Sequence, residues 1–171
     1  RQMLPTLRAK DTFNVLLFAG DSQVLSPTPL PATPANLSAA LSLLDQQRGG
    51  GGTELLPALR RALALPRPAE NMSRTVAVVT DGYVDIETEA YALVRQNLGQ
   101  GNVFAFGIGT SVNRHLIESL ARAGQGEPFI VTDAGAAETE AARFAAMIGA
   151  PVVSAVTASF DGVKASEVEP A

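Results

Sequence analysis

The sequence predicts a three-layer α/β fold, doubly wound, with a mostly parallel sheet and helices on both faces. Three observations carry this. Short β-rich runs alternate with helix-period segments along the chain, the rhythm of βαβ units with right-handed crossovers. Thr75-Val76-Ala77-Val78-Val79-Thr80 is uncharged and lacks polar alternation, as expected of a parallel strand buried on both faces. Polar loops follow the strand runs ending at Phe18, Thr80 and Phe106, at the carboxyl edge where open α/β sheets hold their ligands.

The elements follow in order. Phe13 to Phe18 is a short apolar run that reads as a strand, and Gln23-Val24-Leu25 returns as a short edge strand. Pro27, Pro29, Pro31 and Pro34 punctuate the next loop, because proline lacks the amide donor that a helix or ladder needs. Thr33-Pro34 starts a helix, with Thr33 as cap and Pro34 in the first helical position; Leu37, Leu41 and Leu44 give its apolar stripe. Gly49 to Gly52 break that helix and Thr53 starts another, striped by Leu55, Leu56, Leu59 and Leu63. After the Thr75–Thr80 strand, Glu87 to Leu98 reads as a helix closed by Gly99. Asn102 to Phe106 is a strand, Asn113 to Ala123 a helix closed by Gly124, Pro128 to Val131 a strand, and Ala136 to Ile148 a helix. Val152 to Phe160 is extended, with Asp161-Gly162 as a turn.

Composition narrows the function. The length of 171 residues suits one domain. The net charge of −4 argues against nucleic acid, since tracking phosphates needs a basic field. With no cysteine, disulfides and thiolate metal sites are excluded. No run approaches the ~20 apolar residues of a membrane span, so no direct membrane insertion is expected. Arg1 to Pro5 lacks the apolar region of a signal peptide. The abrupt ends, Arg1 in what reads as the last turn of a helix and Ala171 after Glu169-Pro170, suggest a fragment of a longer protein.

Asp81 stands first among the candidate residues. A carboxylate directly after a buried strand can offer oxygen to a hard cation, but Asp81-Gly82 can equally turn the chain and cap the next helix. Gly49-Gly50-Gly51-Gly52-Thr53 lets backbone approach a ligand, and a helix-start threonine offers a hydroxyl to a cation or to the backbone. A phosphate cradle is disfavoured: the run lacks the lysine of the P-loop pattern and follows a helix. Gly107-Ile108-Gly109-Thr110 is a fragment of a dinucleotide fingerprint without its downstream glycine. His115 has no cysteine or second histidine to pair with and reads as a surface or packing residue. No serine sits in a nucleophile elbow, so hydrolysis by a Ser-His-Asp triad lacks support. Asp85, Glu87 and Glu89 read as a solvated helix start complementing the macrodipole.

Together, Asp11-Thr12-Phe13-Asn14-Val15, Gly51-Gly52-Thr53-Glu54-Leu55, Val78-Val79-Thr80-Asp81-Gly82 and Val103 to Gly109 resemble the von Willebrand factor type A domain. The Phe-Gly-Ile-Gly sequence is most similar to the branch found in inter-α-trypsin inhibitor heavy chains and their bacterial relatives. The resemblance covers residues 1–150, and 151–171 resemble the start of the β-rich segment that follows there. It implies a Rossmann-like sheet of six strands and a non-enzymatic adhesion module. It also implies a Mg²⁺ site, or Mn²⁺ or Ca²⁺ in its place, built from an Asp-x-Ser-x-Ser loop, a threonine and an aspartate. Thr53 matches the threonine and Asp81 the aspartate, with Gly52 and Gly82 beside them. The first loop and its central strand have no counterpart in the chain.

Several expectations follow from that resemblance. The metal site belongs to the intact parent protein, and this chain holds no ion tightly, since such ions want about six ligands. The partner is a protein, and the location is extracytoplasmic or at the cell envelope. The missing strand leaves unpaired edges between Phe13–Phe18 and Thr75–Thr80, filled by Val152–Phe160 or by a second copy through dimerisation or strand exchange. Two other functions stay open: an A-type module serving a metal-insertion or chaperone ATPase, and a nucleotide-binding α/β enzyme.

Overall fold

The computed structural model describes residues 1–19, 21–47, 54–67, 72–81, 88–99, 101–149 and 162. A short 3-10 turn at Leu4–Thr6 opens the chain. The strand expected over Phe13–Phe18 is split. β1 (Thr12–Phe13) pairs antiparallel with β4 (Leu30–Pro31), while β2 (Leu16–Ala19) pairs antiparallel with β3 (Asp21–Val24). Asn14 causes the break: its side chain accepts from the Val15 amide and donates to the Ser26 carbonyl, holding the chain out of a continuous ladder.

α1 (Pro34–Asp45) begins as its sequence demands. The Thr33 hydroxyl accepts from the Asn36 amide at 3.3 Å, with proline in the first turn. Its buried Ala40 packs with Phe13 and Ala32 in a small core of its own. α2 is Leu55–Ala64 and buries Leu55, Ala58 and Leu59.

The main sheet is parallel, in the order β5 (Arg74–Thr80), β6 (Gly101–Ile108), β7 (Pro128–Val131). Helices α3 (Thr88–Asn97) and α4 (Arg114–Ala123) make its crossovers, and α5 (Ala134–Gly149) follows β7. On one face Val78, Val103 and Ala105 pack with α2, α3 and α4 through Leu55, Leu59, Val94, Leu116, Ile117 and Leu120. On the other, Phe104, Phe106, Phe129 and Val131 lie under Phe144 of α5. Phe106 stacks on Phe129 at 4.4 Å between centroids, and Phe144 meets Phe106 edge-on at 5.3 Å, the offset and T-shaped contacts that ring quadrupoles favour.

The expected burial of Thr75–Thr80 on both faces is corrected. Val78 and Thr80 are buried, but Thr75, Ala77 and Val79 alternate with them as exposed residues. The cause is coverage: α5 packs over β6 and β7, and β5 lies beyond it. β5 pairs only with β6, and β2 only with β3, among the described residues. Among the described residues the parallel sheet is three strands wide. Val152–Phe160, proposed to fill the interval, lies outside the described residues, as does all of 151–171 except Gly162. Among the described residues, no helix is long and apolar enough to cross a membrane.

Candidate functional site

Asp81 emerges from the sheet one residue past the Thr80–Gly107 pair and is exposed, while Thr80 before it is buried. The strand is thus anchored to its last residue and releases a carboxylate at the carboxyl edge. The neighbouring strands end at the same edge. β6 closes with Ile108, and Gly109 turns the chain at φ 98° while its amide donates to the Val131 carbonyl at 2.7 Å. β7 closes with Val131 and is followed by Thr132 and Asp133. The last turn of α2 meets Arg74 at the start of β5, while Leu55, its first residue, belongs to the core cluster that includes Val78 near the end of β5. Glu54 occupies its cap position without a capping side-chain bond.

Of the residues that the resemblance assigns to the metal site, only Asp81 lies among the described residues. Thr53, Gly52 and Gly82, with Gly49 to Gly51, Asp85 and Glu87, lie outside the described residues. Glu89 is exposed in the first turn of α3, and His115 is exposed on α4. Among the described residues, no group of three or more histidines or carboxylates could hold a metal ion. One exposed carboxylate is not a coordination shell for a hard cation. The described donors therefore do not by themselves fit the ion that the sequence resemblance implies.

The glycines after β6 have structural reasons of their own. A Cβ on Gly107 would meet Val112 at 3.0 Å and Ile117 at 3.1 Å, so this glycine admits the α4 side of the core. Gly109 takes a conformation that favours glycine. Neither demands a pyrophosphate. α4 then begins at Asn113, whose side chain accepts from the Leu116 amide at 3.1 Å.

Two features of this edge escaped the sequence reading. Asp133 caps α5: its Oδ1 accepts from the Ala136 amide at 2.9 Å, and its other oxygen accepts from the Thr132 hydroxyl at 3.2 Å. The Ala136 amide, and then the Thr132 hydroxyl, hold its carboxyl below the usual range. A Thr-Asp pair just before an alanine-rich helix is a cap signal that could have found it. The other is apolar: Val79 and Ile108 are the exposed large hydrophobics among the described residues, at the ends of adjacent strands. No local pattern in an apolar run marks which side chains stay uncovered.

Against this geometry, a family profile described as the von Willebrand factor type A domain matches residues 1–128. A von Willebrand factor A domain-containing protein of Dictyostelium discoideum is 30% identical over 79% of this chain and 6% of its own. Inter-alpha-trypsin inhibitor heavy chain H3 of Bos taurus is 23% identical over 70% of this chain and 15% of its own. Among solved structures, a von Willebrand factor type A protein from Catenulispora acidiphila superposes with a TM-score of 0.75, at 21% identity, over 85% of this chain and 35% of its own. Proximal thread matrix protein 1 of the mussel byssus, solved with a zinc-occupied MIDAS motif, gives 0.62 at 15% identity over 80% and 34%. The chain spans 6% to 14% of the length of the first three curated relatives it matches.

Proposed function

The chain belongs to the von Willebrand factor type A domain family, and from that premise we propose that it is a protein-binding adhesion module that performs no catalysis. Binding takes place at the carboxyl edge of the parallel sheet. It depends on a divalent cation whose ligand set Thr53 and Asp81 fill only in part, with Gly52 and Gly82 giving the backbone room beside them. Magnesium is the expected ion, with manganese or calcium able to take its place. The partner is a protein, and the setting is extracytoplasmic or at the cell envelope.

One observation carries this reading: Asp81 is exposed at the end of a strand whose preceding residue, Thr80, is buried. That places its carboxylate oxygens in solvent at the carboxyl edge, where a hard cation could take them. The zinc-occupied motif of the mussel protein supports a divalent ion for this fold.

The test is a backbone-amide NMR titration of the full chain with Mn²⁺, whose unpaired electrons broaden nearby resonances. Broadening centred on Thr80 and Asp81 at millimolar ion, abolished by Asp81→Ala, supports the reading. Uniform broadening that Asp81→Ala leaves unchanged would remove Asp81 from the ligand set.

A further inference from the structure

Arg74 opens β5 with its guanidinium half-buried, and it spends its donors on one helix end. Nη1 donates to the carbonyls of Leu63 at 3.0 Å and Leu65 at 3.2 Å, and Nη2 donates to the Ala62 carbonyl. These are carbonyls of the last turn of α2 and its C-cap, where the helical ladder runs out; the Ala62 carbonyl also accepts from the Leu65 amide at 3.3 Å. Arginine suits this task because its fork is planar and fixes several acceptors at once, where a lysine ammonium is a point charge on a flexible stem. A second arginine does similar work next door: Arg67 donates to the Leu98 carbonyl, just past α3, at 3.2 Å. Burial, and then the Arg67 guanidinium, lower the Arg74 pKa from the ordinary arginine value.

We propose that Arg74 is a positioning residue that sets where the first turn of α2 stands against the end of β5, and thereby the spacing between Glu54 and Asp81. The lever is geometric. The helix returns ~15 Å along its own axis, beside a strand of roughly 23 Å. Its far end therefore moves with any slip at the clamped end. Elsewhere α2 meets the core through Leu55, Ala58 and Leu59, contacts that are apolar and non-directional, and its other directional tie, Arg61 donating to the Ser22 carbonyl and hydroxyl, runs to β3 and not to β5. The three carbonyl bonds supply the direction that this packing lacks. The inference rests on the binding edge proposed above, but its test reads distance alone and needs no ligand.

The chain contains no cysteine, so paired spin labels can be placed cleanly on exposed positions. Labels at Glu54→Cys and Thr110→Cys read α2 against the carboxyl edge; labels at Glu118→Cys and Glu138→Cys read α4 against α5 as a control. With Arg74→Lys, the Glu54–Thr110 distance distribution is expected to shift or widen by about half a helical pitch, ~2.7 Å, while the control pair stays put. Amides at the end of α2 should exchange about tenfold faster. Arg74→Met should exaggerate both effects, and Arg67→Ala should leave the Glu54–Thr110 distribution unchanged. Wild-type distances in Arg74→Lys would overturn the proposal, as would equal widening of both label pairs. If Arg74→Met does not fold, the lysine variant decides. Absence of Mn²⁺ broadening at Asp81 would sink the metal reading and leave these distances untouched.

Discussion

Val79 of β5 stands beside Phe106 of β6 in the same register and on the same face, yet Val79 is 37% exposed and Phe106 only 3%. One strand's width separates a packed aromatic layer from an open one, because α5 reaches as far as β6 and stops. This difference predicts a steep contrast in mutational cost. Val79→Thr should change stability by no more than about 0.5 kcal/mol, whereas Phe106→Ala should cost roughly 3–5 kcal/mol. Urea unfolding of the two variants checks it, and a cost above 2 kcal/mol at Val79, on the order of a buried apolar side chain, would mean that something covers that face.

Among the described residues β5 has no strand partner beyond β6, which bears on self-association. Unpaired strand edges with apolar side chains invite pairing with another chain. Sedimentation or light scattering over a concentration range should detect dimers or strand-exchanged species, reduced by Val79→Lys. A well-folded monomer at every concentration would rule out exchange between copies.

Gly124 predicts a third outcome. It closes α4 directly against β6, where its carbonyl accepts from the Val103 amide at 2.9 Å. A Cβ there would stand 2.7 Å from the Val103 carbonyl oxygen and closer still to the Val103 side chain. Gly124→Ala should therefore destabilise by about 1–3 kcal/mol through overpacking, visible as a lower thermal midpoint. Gly109→Ala tests a different cause, since nothing crowds a Cβ there and only its φ of 98° resists substitution.

A pH dependence follows from Asp133. Its carboxyl is held below the usual range, first by the Ala136 amide and then by the Thr132 hydroxyl. A depressed folded-state pKa means that the charged form is the stabilised one. Its contribution is complete above the unfolded value of about 3.9 and is lost as pH falls through the folded value. Asp133→Asn should flatten that part of the acid unfolding curve. An unchanged curve would mean that the cap contributes nothing measurable.

Much of this was legible from residue order. Thr33-Pro34 start α1 and Asn113 caps α4 because local chemistry fixes a helix start whatever the surroundings. Pro128–Val131 and the run through Phe106 read as strands because their apolar character is dense. Burial was harder to read. Thr75–Thr80 shows no alternation in sequence, since Ala77 and Val79 are apolar, but the missing cover on one face makes the structure alternate. Coverage is a property of the neighbours, and no strand encodes its neighbours. Arg74 escaped for a related reason: a single arginine at a strand's start gives no hint that three carbonyls from α2 will converge on it. The metal-site reading came from an ordered set of short matches; of its named site residues, Asp81 alone falls among the described residues.

Calorimetric titration of the full chain with Mg²⁺, repeated with Asp81→Ala, tests the central claim most directly. An incomplete ligand set predicts no micromolar binding, with only weak millimolar heats that the Asp81 variant loses. Stoichiometric micromolar binding would contradict the incomplete set, and weak heats that survive Asp81→Ala would contradict the role of Asp81.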